Sequence, residues 1–258
     1  MKQLYPSAIF LTCAVLVAAL LFSQRAQHEP IRVLASNGVR AAMQGLIPQW
    51  EHAIGLPLTV EFDPSAAIKR KIEANAPFDV TVLTTDVIDG LAKEGKLAED
   101  GRTGIGRIGV GVGVVRGAAK SDIRTAEAIK QVLLNSKSMT WGEEGASRPV
   151  IDKMIQELGI ADQIRAKVRF TKNVDQSMDL VRTRQTDLVI TLISEILPAE
   201  GVDFVGPLPA QFQQYVRFAT GISAASRNMD SAKAAVKFIT GPSIAPAFKA
   251  KGIEPINK

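Results

Sequence analysis

The chain of 258 residues has one cysteine, Cys13, and two histidines, His28 and His52. Cys13 lies inside an apolar N-terminal run. The rest of the chain therefore has no thiol to oxidise or pair, and packing must hold it together. Leu11-Thr12-Cys13 sets a large residue before the cysteine, and the apolar run continues past it, so lipid attachment is not expected. The two histidines are far apart and match no Cys/His ligand spacing, which gives no basis for a metal site. Gly-x-Ser-x-Gly does not occur, and a serine hydrolase would have to recruit one of those histidines. Five like charges never follow one another, so nucleic-acid binding is not expected. Internal repeats, low-complexity segments and linkers rich in Pro, Ser or Gly are also missing.

The N-terminus has the pattern of an export leader. Lys2 supplies a positive start, and Ala8 to Phe22 is apolar except for Thr12. Ser23-Gln24-Arg25-Ala26 then turns polar with small residues. Fifteen helical residues span roughly 22 Å, short of the ~30 Å hydrocarbon core. Residues 1–26 are therefore expected to be a signal peptide, with cleavage between Ser23 and Gln27 and the product in the periplasm. Outside the cytoplasm there is no ATP, NAD or nucleic acid to act on. Lys2 and Arg25 leave with the leader, which takes the basic count from 31 to 29 against 26 acidic residues, a net charge near +3. About 230 residues remain, enough for one large or two small domains with a sizeable core.

Beyond the leader, strand and helix patterns alternate. Ile31–Ala35 reads as a strand and Val39–Ala53 as a helix that Pro48 should kink or break, closed by Gly55. Strands at Leu58–Phe62 and Asp79–Leu83 alternate with helices at Ala66–Ala74 and Val87–Glu94. Three such units argue for a parallel, doubly wound sheet. Ile105–Val115 alternates glycine with apolar residues and reads as one extended segment. Alternation resumes with helices at Ala126–Leu134, Val150–Leu158 and Val174–Arg184, and strands at Ser138–Trp141, Val168–Phe170 and Asp187–Leu192. Tyr215–Ser223 is extended, and helices at Ala232–Ile239 and Ile244–Lys251 close the chain. The two extended stretches bracket a central block. The expectation is an α/β protein of two doubly wound lobes joined by two crossing strands. Residues 31–112 with 221–258 form one lobe and 113–220 the other, free to hinge and close on a ligand.

Gly104-Ile105-Gly106-Arg107-Ile108-Gly109 spells the dinucleotide fingerprint, but a glycine-alternating extended segment follows where that motif requires a helix. Small residues for close backbone approach explain it better, and no cofactor is expected. Three turns carry more weight: Ala35-Ser36-Asn37-Gly38, Asp63-Pro64-Ser65-Ala66, and Gly142 to Ser147. Each puts small or hydroxyl residues at a helix start on the carboxyl side of a strand, where free amides carry partial positive charge. One such turn is ordinary helix capping. Several facing one crevice make an anion site. Arg148 is placed to reach a carboxylate or oxyanion with two bonds, or to lie in solvent. Glu143 and Glu144 oppose an anion unless they turn away. Lys69-Arg70-Lys71 reads as a solvated patch.

The stretch Val33–Met43, Ile68–Ala74 through Val80, Gly145-Ala146-Ser147, and the tail Lys237–Pro242 through Gly252–Pro255 resemble the extracytoplasmic solute-binding proteins of ABC importers, in their molybdate-binding-protein-like branch. The resemblance covers nearly all of Ile31–Pro255. It implies the type II periplasmic-binding-protein fold, no catalysis, a small anionic ligand, delivery to an ABC permease in the inner membrane, and a monomer. Carried over by position, Ser36, Asn37 or Gly38 stand in the first ligand loop, Ser65 and Ala66 in the second, Ala146 and Ser147 in the third, and Val174 in the fourth. The family's late tyrosine is replaced by Thr191-Leu192. With Arg148 nearby, that departure suits a small organic carboxylate better than molybdate. Two rival readings differ in class. An exported enzyme would need an acid–base or metal set that the sequence does not display. Ligand sensors of the LysR type share the fold, but a DNA-binding helix pair precedes theirs where this chain has its leader.

Overall fold

A computed structural model describes residues 29–256. The expected signal peptide, Cys13 and His28 lie outside the described residues. Ile31–Ser36 (β1) leads to helices Asn37–Gln44 (α1) and Ile47–Ile54 (α2). Leu58–Asp63 (β2) is followed by Ser65–Glu73 (α3), and Val80–Thr84 (β3) by Thr85–Lys93 (α4). The helix expected at 39–53 is thus two helices. Pro48 sits in the first turn of α2, where a missing N–H costs nothing.

Thr103–Ile108 (β4) and Val110–Val115 (β5) come next, so the extended segment of 105–115 is broken at Gly109. The fingerprint-like glycines belong to β4 and precede another strand, which leaves no helix end for a pyrophosphate. Then follow Ala126–Asn135 (α5), Met139–Gly142 (β6), Arg148–Leu158 (α6), Ala161–Ile164 (α7), Val168–Thr171 (β7), Val174–Arg182 (α8), Leu188–Leu192 (β8), Ile193–Ile196 (α9) and Val202–Pro207 (β9). Val216–Ile222 (β10), Met229–Ile239 (α10), Ala245–Ala250 (α11) and Ile253–Pro255 (β11) complete the chain.

Two sheets result, ordered β11-β4-β10-β3-β1-β2 and β7-β6-β8-β5-β9. In each, three parallel strands (β2-β1-β3 and β7-β6-β8) meet one antiparallel strand, β10 or β5, that has just arrived from the other sheet. The chain crosses at Gly109 and returns between Pro207 and Val216. The lobe limits expected at 112/113 and 220/221 fall within β5 and β10. Helices cover both sheet faces. Val33 and Ala35 point into the main core, while Leu34 packs on the opposite face with Ile68 and Ile72. From Val33 on, both faces of β1 are therefore dry, which explains the apolar run Val33-Leu34-Ala35 after the exposed Arg32.

The glycines of β5 have a packing role. A Cβ on Gly111 would lie 2.7 Å from Phe204 Cε2 and 3.1 Å from Ile193 Cγ1. Their absence of side chain lets α9 rest directly on the strand, and the Ile193 amide donates to Gly109 O at 2.9 Å. That contact fixes what α9 carries.

Candidate functional site

In open α/β sheets, ligands bind beyond the carboxyl ends of the parallel strands where strand order reverses. Here those ends belong to β1 and β2 in one lobe and to β6, β7 and β8 in the other, and they converge on one cleft between the lobes. A cavity of about 30 Å³ at its centre is lined by Ser36, Asn37, Ser65, Ala146, Val174 and Thr191, with Lys172, Ser177 and Glu195 among its other walls. It shares Ser65, Gly145 and Ala146 with a wider groove of about 610 Å³, into which Ala66, Arg148 and Arg217 also face.

The first amides of α1, α3 and α8 lie along this lining. Ser36 Oγ accepts from the Gly38 amide at 3.3 Å, and Ser65 Oγ accepts from the Thr84 amide at 3.2 Å. Because each oxygen is the acceptor in that bond, each hydroxyl proton remains available to a ligand. Ser177 and Thr171 share one hydrogen bond at 2.6 Å behind the cavity. Asn37 is 9 % exposed, and its Oδ1 has no partner within the fold. An orphaned polar atom in a cavity wall calls for something that enters the cavity.

The ten sequence-derived residues fall into distinct places. Ser36, Asn37, Ser65, Ala146, Val174 and Thr191 meet at the cavity. Gly38 lies just behind it. Ala66 and Arg148 face the outer groove. Ser147 is buried, lines neither space, and sits in helical geometry without a side-chain capping bond. Arg148 is held by Asp152 at 2.6 Å and lies 4.6 Å over the Phe170 ring. Lys69, Arg70 and Lys71 are not simply solvated. Lys69 pairs with Glu73 and Glu94, and Lys71 with Glu61 and Asp63. Arg70 crosses to Glu144 of the other lobe at 2.7 Å, which also turns that carboxylate toward a cation.

Glu195 escaped the sequence reading. It stands four residues after Thr191 on the short α9, and the Thr191 hydroxyl donates to its carboxylate. Some surface of the residue remains accessible, yet its carboxyl is densely surrounded by protein atoms. That burial pushes the carboxyl above the ordinary carboxylate range, while the Thr191 hydroxyl, the Leu192 amide and, from farther away, Arg40 pull the other way. Its only sequence signal was its position just past the carboxyl end of a buried strand.

Three contacts tie the lobes together beside the cavity. Ser194 Oγ donates to Gly38 O at 2.7 Å, Arg70 meets Glu144, and Arg40 of α1 forms a two-bond pair with Asp175 of α8, one bond at 2.8 Å. The hydrogen bond from Arg40 holds the Asp175 carboxyl below its ordinary range. The tie is therefore complete above about pH 4, the unperturbed value, and is lost as pH falls through the lowered one. Both partners are partly exposed, so the pair is worth only about 0.2–1 kcal/mol. Arg40→Ala should weaken ligand binding less than about fivefold, and the effect should vanish in high salt. Calorimetry of both proteins at two ionic strengths checks this; a salt-independent difference would show that Arg40 acts otherwise.

Comparison with known proteins agrees with this fold. The family model for bacterial extracellular solute-binding proteins matches residues 31–254. A protein from Pseudomonas sp. named aconitate isomerase is 24 % identical over 231 residues, 88 % of each chain. The molybdate-binding protein ModA of Escherichia coli (strain K12) is 26 % identical over 93 % of this chain and 94 % of its own. Among solved structures, the periplasmic molybdate-binding protein of Azotobacter vinelandii superposes with a TM-score of 0.73 at 16 % identity, covering 88 % of this chain and all of that one. The sulfate-binding protein SubI of Mycobacterium tuberculosis reaches 0.72 at 17 % identity, covering 89 % and 88 %. The two-sheet arrangement is that of the type II periplasmic binding proteins. A cleft of this kind and a family match over almost every described residue have one conclusion: the chain belongs to the bacterial extracellular solute-binding proteins.

Proposed function

We propose that the chain is a periplasmic receptor that closes over a small organic carboxylate and presents it to an ABC permease in the inner membrane. The observation that supports this most is the cleft, where hydroxyls and free helix amides from both lobes surround one small cavity. Such groups replace the water shell of an anion without needing a cation in contact with it. The cavity suits a compact charged head. The wider groove that continues from it, where Arg148 and Arg217 stand beside Asp86, Glu143 and Glu144, suits an organic body. A bare oxyanion such as molybdate would leave that groove unused and would lie against Glu195. Closure of the lobes makes the loaded form distinct from the empty one, which a permease needs to recognise.

Thermal-shift screening with oxyanions and with di- and tricarboxylates tests the reading, since a tight ligand raises the melting point by mass action. A response to molybdate or tungstate alone would refute the carboxylate. Ser36→Ala and Ser65→Ala each remove a hydroxyl donor to a charged group, worth about 1.5–3 kcal/mol. Affinity for the responding anion should fall roughly 10- to 150-fold in each variant; wild-type affinity in both would reject this site.

Glu195 also favours a second reading, turnover. A buried carboxyl that gives and takes protons beside a bound carboxylate is suited to isomerising it, and one relative is named aconitate isomerase. Proton NMR of aconitate incubated with the protein decides: conversion at catalytic protein concentration establishes turnover, and no conversion leaves the receptor.

A further inference from the structure

The geometry points to a proton held between Glu195 and the bound anion, so that the cleft takes up its anion together with a proton. This rests on the cleft being the anion site proposed above. An anion brings only acceptors, and so does an ionised carboxylate. Two such groups in one dry cavity repel unless they share a proton, as paired carboxylates do.

Glu195 has no cation of its own to relieve this. Arg40 is the nearest, and both of its terminal nitrogens are occupied by Asp175. On the same helix as Asp175, Arg182 pairs with Asp179. Lys172 at the rim is exposed, and Glu200 beyond α9 adds a further negative charge. Among the described residues, no ion pair includes Glu195. Its side-chain hydrogen-bond donor is Thr191, whose hydroxyl engages Oε2, and the Leu192 amide also donates to the carboxylate; neither carries a charge to balance it. In the same cavity wall, Asn37 Oδ1 has no donor. Glu195 and Asn37 thus bring acceptor oxygens to a cavity whose other walls offer amides and hydroxyls. Burial already favours the protonated acid. An arriving negative charge strengthens that preference. Glu195 is thus a specificity-determining residue. It admits carboxylates and protonated oxyanions, which can share a hydrogen, and disfavours oxyanions such as molybdate that stay fully deprotonated.

The test is calorimetric titration of the full mature chain with trans-aconitate and with molybdate between about pH 5 and pH 9, in two buffers of different ionisation enthalpy. Wild type should take up close to one proton per trans-aconitate above the Glu195 transition. Its affinity should fall there by up to about tenfold per pH unit, the limit for one linked proton. Glu195→Gln keeps the shape and the Thr191 bond. It should bind with no uptake linked to this residue and a flat pH profile, and should narrow the preference over molybdate. Binding of either anion by wild type without uptake and without pH dependence overturns the shared proton alone. So does unchanged uptake in Glu195→Gln. Failure of wild type to bind either anion overturns the anion-site reading and the proton with it.

Discussion

Gly38→Val is expected to weaken ligand binding roughly 5- to 150-fold. A Cβ at this position would lie 2.7 Å from Leu192 Cδ1 and 2.8 Å from Phe218 Cζ, both well inside contact distance. Phe218 belongs to β10 of the same lobe, so part of the conflict strains that lobe in any state. Leu192 ends β8 of the other lobe, so the rest is relieved only by moving the lobes apart. Overpacking of this kind costs about 1–3 kcal/mol. To the extent that it bears on the closed form, it subtracts directly from binding energy. The variant should melt a few degrees lower without ligand and show a larger radius of gyration with ligand than wild type. Titration with the responding anion measures the loss. An affinity within twofold of wild type would show that α1 and β8 need not approach for capture.

Trp50→Ala is expected to lower the melting temperature by about 6–20 °C. Trp50 is fully buried on α2, stacks on Phe238 at 6.1 Å between ring centroids, and donates its indole N–H to Ala235 O at 3.1 Å. Both partners lie on α10, so this side chain pins that late helix to the first lobe. Truncating a buried aromatic costs about 3–5 kcal/mol, and each kcal/mol shifts the midpoint of a chain this size by about 2–4 °C. Trp50→Phe should lose less, because the ring remains and only the bond to Ala235 O disappears. Scanning calorimetry settles both; a shift below about 2 °C for alanine would mean that α10 is held elsewhere.

Most of the architecture was legible in the sequence because strand and helix periods alternate cleanly. Leu34, Ile68 and Ile72 reveal their faces by spacing alone. The elements that escaped are those whose stability is not local. α9 has four residues, too few to display a period, and it exists because glycines on β5 leave room for it. β9 is bounded by glycine and proline and pairs with a strand ninety positions earlier by sequence. β11 has three residues and pairs with β4. The cavity residues split the same way. Ser36 and Ser65 were visible in turns between strand and helix, where turn chemistry is local, and Thr191 through the family resemblance. Glu195 was not, since burial by helices distant in sequence makes an ordinary glutamate unusual. The ion pairs Arg40–Asp175 and Arg70–Glu144 span 135 and 74 residues and leave no trace in local composition.

The exchange of strands between the two sheets bears on how the polypeptide is born. β3 and β4 are neighbours only through β10, which is among the last segments to be synthesised. Until it emerges from the ribosome, β3 is an open sheet edge and β4 has no place beside it, so the first lobe closes only when the chain has returned from the second.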